Sequence, residues 1–130
     1  MVFCLKYRHI KIMLVDMTKI AVTMLVLDFI WISIVAGNQF KKMTESIQGS
    51  EMIVRPLGAF VAYSAMIMLF YTFVRKDDPD WKAFLLGALA YALYDGTNYA
   101  LFSKWELKTA IADVLWGGTL FYLTKKIAYA

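Results

Sequence analysis

Cysteine, histidine and proline are almost missing from this chain, with one Cys, one His and two Pro among 130 residues. A lone Cys4 can form no internal disulfide, and without paired thiolates the usual zinc spacings are absent. His9, the single histidine, falls in the basic first ten residues and outside every apolar stretch. There is no G-x-S-x-G elbow, no phosphate-cradling loop and no TVGYG filter, which removes the hydrolase, nucleotide-binding and potassium-channel readings. Charge is missing in one telling place: PLGAFVAYSAMIMLFYTFV, Pro56–Val74, runs 19 residues without any. A helix on the outside of a soluble bundle needs a polar face, and this one has none.

Apolar residues make up 61% of the chain and its mean hydropathy is +0.57, against roughly 45–50% apolar usage in soluble domains. A chain this short is one domain. Four stretches, at about residues 17–36, 56–74, 81–102 and 107–127, each reach the roughly 20 residues that a 30 Å hydrocarbon layer requires. None shows the period-two alternation of a membrane barrel strand. The expected fold is therefore all-α: an integral membrane four-helix bundle whose sequential helices are antiparallel neighbours.

Residues 1–16, with Lys6, Arg8, His9 and Lys11, read as a basic tail or an interfacial segment on anionic headgroups. Asp16 and Lys19 interrupt the first apolar region, so it does not read as a cleaved signal. Gly37–Arg55 is expected to be the longest loop. RKDDPDW, Arg75–Trp81, reads as a tight turn, and Ser103–Glu106 as another. The net charge of +4 is no nucleic-acid signal, because basic residues collect at the ends of membrane helices. Nine Lys and Arg fall on the side of the termini and five on the other, so both termini are expected inside.

Three of the four stretches carry an aspartate in their interior: Asp28, Asp95 and Asp113. Each would cost roughly 2.5–3.5 kcal/mol on insertion scales if it faced lipid as an anion. They are expected to face one another or polar partners, or to carry protons, since no cation lies inside a span. Asp28 and Trp31 share a face at i, i+3, as do Asp113 and Trp116. At 1.5 Å per residue Asp28 and Trp116 both lie roughly 16 Å from the inner boundary, and Asp113 and Trp31 roughly 21 Å. An indole donates and cannot accept, so reciprocal pairs are expected, Asp28 with Trp116 and Asp113 with Trp31. Gly87, Tyr91, Asp95 and Asn98 form one inward stripe in the third stretch, with Tyr94 bringing another donor to the layer. Gly87, Gly96, Gly117 and Gly118 are expected at close helix contacts.

The run YDGTNYALFSKWELKTAIADVLWG (Tyr94–Gly117), with LDFIWI (Leu27–Ile32) upstream, resembles an uncharacterised four-span predicted membrane protein family. It is a domain-of-unknown-function family of bacteria and large DNA viruses. Gly96, and Glu106 after Trp105, depart from the family's pattern. The resemblance implies fold and membrane location and brings no activity or cofactor.

Two functions follow as expectations. The first is a non-enzymatic structural or scaffolding component, set in a viral or virus-derived membrane, whose partners are the lipid bilayer, its own copies or other membrane proteins. The alternative is a small proton- or cation-coupled carrier using Asp28, Asp95 and Asp113. A lipid-modifying enzyme has the least behind it. No metal or other cofactor is expected.

Overall fold

The first apolar stretch does not stop at Ala36. In a computed structural model of Met1–Ala130, helix α1 (Val2–Trp31) runs through one wide turn, Ile32–Ala36, into α2 (Gly37–Gln48). The result is one helical rod of 47 residues, about 70 Å long at 1.5 Å per residue. Then come α3 (Pro56–Phe73), α4 (Asp80–Leu101) and α5 (Leu107–Ala128). Every regular element is a helix. The segment expected as a long loop is thus helical over its first 12 residues. The reason is an amphipathic pattern, Phe40, Met43 and Ile47, that buries against the turn between α4 and α5.

The wide turn is a π turn, with Gly37 N–H donating to the Ile32 carbonyl five residues back. A side chain at Gly37 would strike that carbonyl. Its effect is on register. Ile20, Met24 and Asp28 form the buried stripe of α1, which continues at Ala36 and Met43. At 3.6 residues per turn Ala36 would lie roughly 80° off the face of Asp28; one extra residue absorbed in the wide turn reduces this to roughly 20°. One face of the rod can therefore pack along its length.

The other boundaries follow local chemistry. Gly49, at φ 72°, ends α2, its N–H donating to the Glu45 carbonyl; this is the left-handed conformation glycine adopts most easily. Pro56 opens α3, where its missing N–H costs nothing. Between α3 and α4, the Asp78 carboxylate accepts from the Arg75 N–H at 2.8 Å and from Lys82 Nζ at 2.9 Å.

Packing is tightest between α4 and α5, while α1 lies against both α5 and α3. At Gly87 a Cβ would overlap the Gly117 carbonyl oxygen, and at Gly118 it would come within 2.7 Å of the Phe84 ring. Bare backbone is what lets these two helices meet. Helix α3 leans on α1 and reaches α4 through side chains such as Tyr91 and Met66. Gly96 is the exception among the four glycines: a Cβ there would meet nothing within 4 Å. It faces outward and is no helix contact. Gly87, Gly117 and Gly118 are used up inside the bundle.

Two apolar clusters bracket the interior. The larger, nearer the chain termini, joins Ile20, Met24, Phe70, Val74, Ala83, Leu120, Phe121 and Ala128. The smaller holds Met43, Trp105 and Ala110. Outside, large apolar side chains are bare, among them Leu57 (76%), Phe60 (71%) and Leu93 (74%). So extensive an apolar exterior is what a lipid-facing surface looks like. Two helices are long and apolar enough to cross a membrane, Val2–Gln48 and Pro56–Phe73. The other two carry polar residues turned toward the interior, Asp95 and Asn98 in α4 and Thr109, Asp113 and Thr124 in α5, and are less apolar for that reason.

At the end near the termini, Asp80 joins the start of α4 to the end of α5. Lys125 Nζ donates to it at 2.8 Å and Lys126 Nζ at 2.5 Å. The Lys125 ammonium, followed by that of Lys126, holds the Asp80 carboxyl below the usual carboxylate range. A depressed native pKa means that this group's stabilisation is present above its unfolded value, about 3.9, and is lost as pH falls through the native one. Asp80→Asn is therefore expected to lower the unfolding midpoint at neutral pH. The gap between wild type and variant should begin to narrow only as pH falls below about 4 and close as it passes the lower native value. Parallel melting curves from pH 7 to pH 3 would contradict the assignment.

Candidate functional site

Between the two apolar clusters lies a polar layer contributed by all four long helices. Asp28 of α1 is its centre. Only 6% of it is exposed, and its two oxygens take donors from two different helices. Trp116 Nε1 of α5 donates to Oδ1 at 2.9 Å, and Tyr63 Oη of α3 donates to Oδ2. One carboxyl thereby ties α1 to α3 and α5. This is possible because Met24 and Asp28 share a face one turn apart, so that the helix already turned toward the core presents the carboxyl inward.

Asp113 and Asp95 sit together on the other side of the layer. Asp113 is 7% exposed and Asp95 1% exposed. Asp113 lies beside Asp95 and the Trp31 indole, and Asp95 lies beside Asp113 and the Trp105 indole. Yet neither Asp95 oxygen closes a hydrogen bond, and neither does Trp31 Nε1 or Trp105 Nε1. These are the fully buried atoms among the layer's unpaired polar groups, two acceptors and two donors.

The expected reciprocity is thus half present. Asp28 receives Trp116, whereas Trp31 gives no hydrogen bond to Asp113. The heights agree with helix arithmetic, but rotation about the side chain is decided by stacking. The Trp31 and Trp116 rings lie parallel, 3° between planes and 4.8 Å between centroids. Such contact between large aromatic faces is worth about 0.5–1.5 kcal/mol beyond area burial, comparable to the hydrogen bond it displaces.

Other expected members separate. Tyr91 is inward, with its ring over Gly117 and its hydroxyl 4.0 Å from Met66 Sδ. Asn98 is half-buried on the same stripe. Tyr94 departs from the expectation: it is 56% exposed and packs edge-on against Trp105 at 5.8 Å. One residue before Asp95, it lies about 100° around the helix from the inward face. Trp105 is buried at 7% exposure, within an aromatic group of Phe40, Tyr94 and Phe102. Sequence spacing could not place it, because it belongs to a turn and has no helical face. A tryptophan in an otherwise polar turn was the available signal.

Chemically the layer offers carboxyls and neutral donors. The titratable side chains form no cluster of three close enough to hold a metal ion, so the carboxyls are not arranged as a cation cage. No curated protein and no solved structure matches the chain. An apolar exterior over a buried acidic layer describes a membrane protein, and the family model for "Predicted membrane protein (DUF2177)" matches residues 10–130: the chain belongs to that family.

Proposed function

We propose that the chain is a non-enzymatic structural component of a membrane, crossing it four times with both termini on the more basic side. The observation that carries this reading is Asp28, whose single carboxyl receives donors from α3 and α5 at once. In an apolar solvent such polar contacts fix helix register where apolar packing alone discriminates poorly. The burial of Asp28, Asp95 and Asp113, all at 7% exposure or less, supports a fixed network over a conducting path. A viral membrane is the setting this reading takes, on the strength of the motif's resemblance to a family found in large DNA viruses.

A second reading has one observation behind it. Both oxygens of Asp95 are free of partners, as a carboxyl that gains and loses a proton during transport would need to be. Reconstitution separates the two. Vesicles loaded with a pH-sensitive dye, holding the chain under an imposed proton gradient, are expected to leak at the protein-free rate. A faster leak that Asp95→Asn abolishes would replace the structural reading with the carrier.

A further inference from the structure

A second polar feature lies away from the aspartate layer, at the end of the bundle near the termini. There α1, the exit of α3 and the segment following α5 line an open cleft of about 520 Å³. Lys19, Arg75 and Lys76 line it, with Asp16, Tyr71 and Tyr129. Three cations stand against one side-chain carboxylate. None of the three has an acidic partner within 4.0 Å; of the neighbouring acids, Asp78 pairs with Lys82 and Asp80 with Lys125 and Lys126, while Asp77 pairs with none of the three. Tyr129 Oη donates to the Val74 carbonyl at 3.1 Å, fixing one wall, and Tyr71 is among the lining residues.

Unpaired cations from separate elements converging on one concave site recognise an anion with several acceptor oxygens. Height selects which anion. Lys19 immediately precedes Ile20, the first residue of the buried apolar stripe, so the cleft lies where acyl chains give way to headgroups. Exposed apolar residues continue toward the middle of the bundle on the same two helices, Val22 on α1 and Met68 on α3. A ligand with a phosphate at one end and hydrocarbon at the other fits both features. We propose that this cleft holds the phosphate of one anionic phospholipid from the leaflet on the basic side. The assignment rests on the membrane placement given above and not on whether the aspartate layer conducts protons.

Native mass spectrometry tests it on the full chain, purified in detergent containing equal amounts of phosphatidylglycerol and phosphatidylcholine. The chain is expected to retain one phosphatidylglycerol in preference to phosphatidylcholine. Arg75→Gln and Lys76→Gln should each cut that preference about fivefold, and their combination with Lys19→Gln should abolish it. Lys41→Gln with Lys42→Gln, at the opposite end, should leave it intact. Equal loss from the Lys41 and Lys42 pair, or no loss from Arg75→Gln and Lys76→Gln, would overturn the site. Displacement of the lipid by millimolar inorganic phosphate would make this a free-anion site and overturn the lipid assignment. The vesicle leak remains a separate result, so failure here and failure of the structural reading are distinguishable.

Discussion

Replacing Gly87 by alanine is expected to destabilise the bundle by about 2–3 kcal/mol, the upper part of the range for overpacking a close contact. The added Cβ would overlap the Gly117 carbonyl oxygen and lie 2.7 Å from Cγ of Phe121. A carbonyl inside a helix cannot swing aside without breaking its own hydrogen bond, so the helices must part. Parting them disturbs the Tyr91 ring over Gly117 and the Phe84 ring over Gly118. Gly96→Ala is the matched control, since a Cβ there meets nothing within 4 Å. It should be neutral, or stabilising by up to about 1 kcal/mol through helix propensity. Unfolding in a mixed micelle titrated with denaturing detergent reads both variants. Equal midpoints for Gly87→Ala and Gly96→Ala would refute the close approach of α4 and α5.

The second large effect belongs to Asp28. Asp28→Leu removes the acceptor of Tyr63 Oη and Trp116 Nε1 together. Interhelical hydrogen bonds in membranes average about 0.6 kcal/mol and reach about 1.7. Losing two should therefore cost about 1–3 kcal/mol, with leucine's apolar contacts offsetting little because both half-buried donors lose their acceptor. Asp28→Asn keeps an acceptor oxygen and should cost less than half as much. Asp95→Asn breaks no hydrogen bond and should leave the midpoint nearly unchanged. A ranking with Asp28→Leu worst, Asp28→Asn intermediate and Asp95→Asn least is the signature of a carboxyl that works as a clamp in one place and stands unpaired in the other.

Much of this architecture was written in spacing. Asp28 and Trp116 could be set at one height because a helix rises uniformly, and Gly87, Tyr91 and Asp95 could be set on one face because it turns uniformly. Turn chemistry placed the boundaries at Pro56 and Arg75–Trp81. What spacing misses is whatever breaks uniformity or depends on a neighbour. The π turn before Gly37 re-phases the rod without any composition signal beyond the glycine itself. The polar residues of α2 suggested a loop, although Phe40, Met43 and Ile47 already stood at helical intervals. Tyr63 and Ser64 are adjacent polar residues of α3 with nothing in spacing to choose between them, and only the packing against α1 brings Tyr63 to Asp28. Gly96 resembles Gly87 in sequence, yet one faces a partner helix and the other faces out. Trp31 and Trp116 preferred each other's faces to a fully reciprocal exchange of hydrogen bonds.

The central claim is that Asp28 holds α1 to α3 through Tyr63. A double-mutant cycle of Tyr63→Phe and Asp28→Leu, read as unfolding free energy in detergent, tests it most directly because the phenylalanine removes a hydroxyl and little else. Tyr63→Phe should cost about 0.6–1.7 kcal/mol in the wild-type background and almost nothing once leucine replaces Asp28. The same cost in both backgrounds would mean that the two groups do not interact, and the account of the polar layer as a clamp would fail.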